Sequence, residues 1–246
     1  MKPSTITGLA VVALLTGLLE LLVGNGVISR FLIAQPSAIF SALVELVTEE
    51  RLPEALLSTF GSTLAATATG ILVGVPSGYV LYRHKTLGEA YGAWIAGLFS
   101  APLILVYPLF LVLFGRGMLT IIVISAIIAT VPIVLNTQQA FADVRGVFLQ
   151  VARSFKLSPW QTFWKVLFPA AVPTIFTGIR LSLIYAMISV VAIEYLVVLG
   201  GLGALVSDMY DRYNIPGMYA AILAVIMVTV VFFKLAAGLE RWLRPT

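Results

Sequence analysis

The chain has 246 residues, 60% of them hydrophobic and 11% charged, with a mean hydropathy of +1.05 and a net charge of +4. A water-soluble domain carries about 25% charged residues, so this sequence cannot cover a surface in water; it reads as a single integral membrane domain, residues 1–246. The absence of cysteine excludes disulfides and thiolate chemistry.

Six runs are long and apolar enough to cross a bilayer: Ile6–Gly24, Thr59–Tyr82, Tyr91–Phe114, Met118–Phe141, Ala171–Val197 and Met218–Gly238. They are apolar throughout, without the short alternation of barrel strands, so the expected class is all-α and polytopic. Lys2 before the first run resembles the start of a signal peptide. The length of that run, its Glu20 and the lack of a small-residue cleavage site make it a retained helix.

After the first run, Gln35-Pro36-Ser37 precedes a short amphipathic segment, Ala38–Val47. Ala38, Leu43, Leu46 and Val47 share one side, and Ser37 is placed to cap the helix. The segment is too short to span and is expected at the interface. In the second run, Gly70, Gly74 and Gly78 fall on one face, where small residues let helices approach closely. Arg83-His84-Lys85 makes a tight turn, and His84 has no ligand partners at metal spacing. Pro102 and Pro108 interrupt the third run and Pro132 the fourth, giving kinks that are either static or part of a moving joint. Gly115-Arg116-Gly117 closes a hairpin between these two runs. The glycines of Gly200–Gly203 follow no strand, so they bind no nucleotide and instead let the chain turn back at the membrane surface.

Residues 142–173 are the extended polar and basic interruption in the second half. Val147, Phe148, Val151, Ala152 and Phe155 share a helical face, with Arg145, Gln150 and Arg153 elsewhere. Ser158-Pro159-Trp160-Gln161 then carries a capping box with proline at the first helical position. Trp160, Phe163, Trp164, Leu167 and Phe168 repeat at helical spacing, and Pro169 and Pro173 are expected to end that helix. The segment therefore predicts two short amphipathic helices joined at Lys156-Leu157. Either both lie in the lipid interface, or the second packs on the membrane domain while the first enters a groove on a soluble subunit.

With the N-terminus inside, Lys2, Arg83, Lys85, Arg145, Arg153, Lys156, Lys165, Lys234, Arg241 and Arg244 fall on the cytoplasmic side. Arg30, Arg51, Arg116 and Arg212 fall outside. That asymmetry follows the positive-inside rule, so the basic balance reports topology and not a nucleic-acid partner. Arg180 and Glu194 lie within predicted spans, as does Glu20. Charges at that depth are candidates for function, against which stand snorkelling for Arg180 and structural pairing for Glu194.

Gln150-Val151-Ala152-Arg153-Ser154-Phe155-Lys156, followed by Phe168-Pro169, resembles the EAA loop of permease subunits of ABC-type importers. Ile33-Ala34-Gln35-Pro36-Ser37 looks like that family's Leu-Pro-Ser-Pro stretch, and Asn136-Thr137 fits the end of its fourth span. Glu194 with Gly200–Gly203 is similar to the Ala-Glu-Met and Gly-Leu-Gly signature of the nitrate/sulfonate/taurine branch. In this chain Gln150, Val151 and Lys156 stand where the pattern has Glu, Ala and Gly.

The resemblance implies the fold of a type I importer permease in a bacterial cytoplasmic membrane, with its N-terminus cytoplasmic. It implies two ATPase subunits, a second permease copy or paralogue, and an extracytoplasmic solute-binding protein. Val147, Gln150, Val151, Ala152, Arg153, Ser154, Phe155, Lys156 and Ser158 would then couple to the ATPase, with Trp160, Phe163, Trp164 and Pro169 packing the loop. Asn136, Arg180 and Glu194 become pathway candidates, for a small and anionic solute. ATP and Mg would sit on the partner, since the chain has no Gly-x-x-x-x-Gly-Lys-Ser/Thr loop; it is not expected to be an enzyme. An ion-gradient-driven transporter or channel is the alternative, and would usually carry more polar residues mid-span.

Overall fold

A computed structural model describes residues 3–48, 52–100 and 103–243. Lys2, Arg51, Pro102 and Arg244, used above, lie outside these residues. The described chain is helical: α1 (Pro3–Gly24), α2 (Pro36–Thr48), α3 (Leu52–Arg83), α4 (Lys85–Ser100), a 3-10 turn (Leu103–Val106), α5 (Tyr107–Phe114) and α6 (Met118–Ala142) come first. Then follow α7 (Gly146–Ser154), α8 (Pro159–Thr162), a π turn (Phe163–Leu167), α9 (Phe168–Val197), α10 (Leu202–Asp211) and α11 (Ile215–Leu243).

The second, fourth and fifth predicted spans lie in stretches long and apolar enough to cross a membrane, the sixth overlaps the stretch Ile215–Lys234, and α1 covers the first over 22 residues. The third is not continuous. It is divided into α4, the 3-10 turn and α5, with Pro108 in the first turn of α5, where a missing N–H costs nothing. Pro76 and Pro132, by contrast, lie inside unbroken helices.

Residues Thr59–Ile193 with Val230–Thr246 form one compact unit, built around α6. A Cβ at Gly70 would lie 3.4 Å from the Ala129 backbone, and one at Gly74 would lie 2.9 Å from Ile133. At Gly78 it would lie 2.6 Å from the Thr137 Cβ. These contacts advance together along both helices, so α3 and α6 run parallel with their backbones touching, as the four-residue glycine spacing predicts. Gly178 of α9 makes the same kind of close contact with Asn136. Ala66, Ala126, Ala129 and Ala186 form a buried cluster of small side chains among the same three helices. Lipid tails are as apolar as leucine, so close approach of this kind is what holds membrane helices together. Thr63 and Thr67 are buried, and each returns its hydroxyl proton to the carbonyl one turn back.

Met1–Ser58 with Glu194–Thr229 form the second unit. Here Ser37 is not the N-cap of α2. The helix opens at Pro36, with the Ile39 N–H donating to the Gln35 carbonyl. The Ser37 N–H and Oγ instead donate to the two oxygens of Glu20, at 3.0 and 2.7 Å. A carboxylate from the end of α1 thus accepts at the positive end of α2. Of the predicted apolar side of α2, Leu46 is buried and Val47 is exposed; the buried pair is Ala42 and Leu46.

Gly78→Ala should lower stability by about 1–3 kcal/mol, because neither Thr137 nor the Val134 carbonyl can recede. Gly92→Ala, whose Cβ meets nothing within 4 Å, should be neutral or better. Thermal unfolding of the two detergent-solubilised variants compares them directly.

Candidate functional site

The elbow between α6 and α9 is built from local rules. At the end of α7, the Lys156 N–H donates to the Arg153 carbonyl at 2.9 Å, and the Leu157 N–H to the Ala152 carbonyl at 3.1 Å. This is a Schellman closure, and it places Lys156 in the left-handed conformation with φ 51. The turn thus keeps the backbone that a glycine would take, with a lysine in its place. Beyond it, Ser158 Oγ accepts from the Gln161 N–H and Gln161 Oε1 from the Ser158 N–H, at 3.2 and 2.9 Å. The capping box is therefore complete, with Pro159 at the first helical position.

Pro169 and Pro173 do not end the second helix. The chain runs from α8 through the π turn into α9, and Pro173 lies inside α9. The π turn, closed by the Phe168 N–H on the Phe163 carbonyl, widens the helix just before Pro169. That shift clears the carbonyl with which the proline ring would collide, so the helix continues where a stop was expected.

Aromatic packing fastens the elbow to its unit. Phe163 lies 4.9 Å from Tyr79 and 6.1 Å from Phe141 between ring centroids, and Tyr79 lies 5.0 Å from Phe141. Leu167, Ala171 and Ile175 are buried in the same cluster, with Leu149 and Phe168 against it. Trp164 lies 5.2 Å from Phe168 and 5.6 Å from Trp160, but both tryptophans are exposed, Trp160 at 71%.

In α7, Ala152 is buried and Leu149 packs inward. Positions two apart on a helix point to nearly opposite sides, so Val147 and Val151 project outward. Both are exposed, at 61% and 47%, as are Phe148 and Phe155. Gln150, Arg153, Ser154, Lys156 and Ser158 are exposed too, and Ser154 Oγ donates to the Gln150 carbonyl. The predicted apolar face is therefore split: its alanine packs home, and its larger members remain open.

The three pathway candidates have different surroundings. Asn136 donates from Nδ2 to the Pro132 carbonyl at 2.8 Å and meets Gly178, so it serves the α6–α9 contact. Arg180 is exposed on α9. Glu194 is fully buried, and its carboxylate accepts the Gly203 N–H at 3.2 Å. A Cβ on Gly201, at φ 89, would strike that carboxylate. The glycines thus do more than reverse the chain: they bring the start of α10 onto Glu194. The helix α10 itself, with Leu202, Ala204 and Met209 buried, was not foreseen in what read as a loop. Beside it, Glu54, Ser58, Val198, Gly200 and Asp208 line an open cleft of ≈ 470 Å³. No group of three or more His, Cys, Asp or Glu side chains able to hold a metal occurs among the described residues.

Sequence reasoning missed Tyr79, Tyr82 and Phe141 as the seat of the elbow, because aromatic residues inside an apolar run carry no positional mark. Gly178 was also missed, because a single glycine in α9 has no repeat spacing to mark it.

The described residues thus form an all-α fold with apolar helices long enough to span a membrane and an elbow fastened to the ends of α3, α6 and α9. Residues 66–245 match the family of binding-protein-dependent transport system inner membrane components, and the chain belongs to that family, the permease subunits of ABC-type importers. It is 25% identical to the riboflavin transport system permease protein RibX of Chloroflexus aurantiacus, over 87% of this chain and 80% of that one. It is 32% identical to the nitrate import permease protein NrtB of Synechococcus elongatus, over 70% of this chain but only 60% of that protein's length. The putative aliphatic sulfonates transport permease protein SsuC of Bacillus subtilis is 27% identical over 95% of this chain and 85% of its own. In fold, it resembles the inward-facing MetNI methionine ABC transporter, with a TM-score of 0.69, 21% identity, and 79% and 96% of the two chains covered.

Lys156→Gly should raise stability by about 1 kcal/mol, by removing the side chain from a left-handed position. Gly201→Ala should lower it by about 1–3 kcal/mol, through both its φ and the contact with Glu194. Melting temperatures of the solubilised chain should move in these opposite directions.

Proposed function

We propose that this chain forms the translocation pathway of an ATP-driven importer and is moved by a separate ATPase that grips α7. The observation carrying this reading is the outward face of α7, where Val147, Phe148, Val151 and Phe155 stay exposed while Leu149 and Ala152 pack inward. Leu149 lies against the cluster of Phe141 and Ala171, at the ends of α6 and α9. The open face therefore points away from those helix ends, which suits a soluble partner better than the acyl chains of a bilayer.

Two ATPase subunits on the cytoplasmic side, a second permease copy or paralogue, and an extracytoplasmic solute-binding protein complete the assembly. The N-terminus lies in the cytoplasm of a bacterial cell, consistent with the side on which most of the basic residues then fall. ATP and Mg bind to the ATPase, where hydrolysis takes place. Closing of the ATPase pair transmits force through α7 to the aromatic cluster and so to α3, α6 and α9. For this to shift access, the ATP-bound partner must bind one permease conformation more tightly than the other. A small anionic solute is the proposed cargo, by analogy with the relatives named for nitrate and aliphatic sulfonates.

Val151→Glu should abolish retention of the ATPase and solute uptake in vesicles, while melting temperature and membrane insertion stay at wild-type values. Ala152→Glu should lose both stability and coupling, since position 152 is 1% exposed. Undiminished uptake by the Val151→Glu protein would refute the docking role.

A further inference from the structure

The elbow has a charge character that its apolar face does not explain. From Val144 to Ile193 there is no acidic residue, and Arg145, Arg153, Lys156 and Lys165 surround α7 and the π turn. Among the described residues, Arg145, Arg153 and Lys156 enter no ion pair within the chain. Gln150, on the exposed side of α7, is neutral where the resembled pattern carries a glutamate. Lys156 moreover occupies the left-handed position of the Schellman turn, where a non-glycine residue is uncommon. Its side chain is exposed at the end of the apolar face, next to Phe155, which is 76% exposed. Strain kept at a surface turn is a pointer to function when no contact within the chain explains it.

We propose that Lys156, supported by Arg153, is a charge anchor that selects the ATPase: the groove receiving α7 has an apolar floor and carboxylates at its rim beside the turn. This rests on the docking reading above and adds the chemistry of the partner. Val147, Val151 and Phe155 supply contact area, while the cations set orientation, attraction at a distance and rejection of ATPases with basic rims. Anionic lipid is the competing occupant. The outward direction of α7 disfavours it, and Lys165, on the π turn that packs against the membrane unit, is better placed for that role.

The test uses the full-length chain in nanodiscs and the ATPase that co-purifies with it from native membranes, with binding measured at low and high salt. Lys156→Gln should weaken binding roughly 3- to 10-fold at low salt and flatten the salt dependence, as removal of a rim charge does. Lys156→Glu should weaken it by more than about 10-fold. Lys156→Gly should also weaken it although its melting temperature rises, which separates the anchor from any effect on folding. Wild-type affinity and salt dependence in Lys156→Gln, with binding still lost in Val151→Glu, would overturn the anchor and leave docking intact. Wild-type affinity in both variants would sink the docking reading itself. If Lys156→Gln weakens binding only in nanodiscs of anionic lipid and not in zwitterionic ones, Lys156 serves the membrane and the proposal fails.

Discussion

The contact on which the rest of the membrane unit depends is glycine backbone against the backbone and short side chains of α6. Gly70, Gly74 and Gly78 approach from α3 and Gly178 from α9, each at a distance that leaves no room for a methyl group or barely admits one. Helices in lipid gain nothing from leaving water, so attraction comes from dispersion and falls off steeply with separation. Removing four side chains from the seams converts loose neighbours into a packed core. It also fixes the end of α6, and with it Phe141, to which the elbow is fastened.

That attachment makes the elbow a packed part of the membrane unit instead of a free loop. The Schellman closure and the capping box define both ends of the turn between α7 and α8. Phe163 then sits between Tyr79 and Phe141, so the second helix cannot shift without disturbing α3 and α6. Packed interiors transmit displacement because they have little free volume to absorb it. Leu149 of α7 packs against this cluster, and the π turn leads from it into α9.

The second unit treats two acidic residues at the ends of apolar helices in the same way. Glu20 receives the Ser37 N–H at the start of α2, and Glu194 receives the Gly203 N–H at the start of α10. In each case an acidic side chain at the end of one apolar helix meets the unsatisfied N–H groups of the next. These N–H groups offset part of the cost of placing an acid at the end of an apolar helix. Glycine at 201 is what lets the backbone at the start of α10 reach Glu194 so closely.

What the sequence by itself determined was whatever rests on local pattern. The apolar runs, the glycine spacing in α3, the capping box at Ser158 and the break after Phe155 are fixed by residues within a turn or two of one another. The tertiary structure decided the rest. Whether Val151 or Ala152 faces inward depends on where the ends of α3, α6 and α9 lie, and amphipathic spacing alone put both on one face. Ser37 reads as a cap until Glu20 is brought beside it, and Gly200–Gly203 reads as a turn until buried Glu194 gives α10 an anchor. Pro169 reads as a stop because a π turn is not written in local propensity; it forms where packing of Phe163 and Leu167 outweighs the poorer hydrogen-bond geometry. Contacts between residues far apart in sequence supply that energy, and a single chain read in order does not display them.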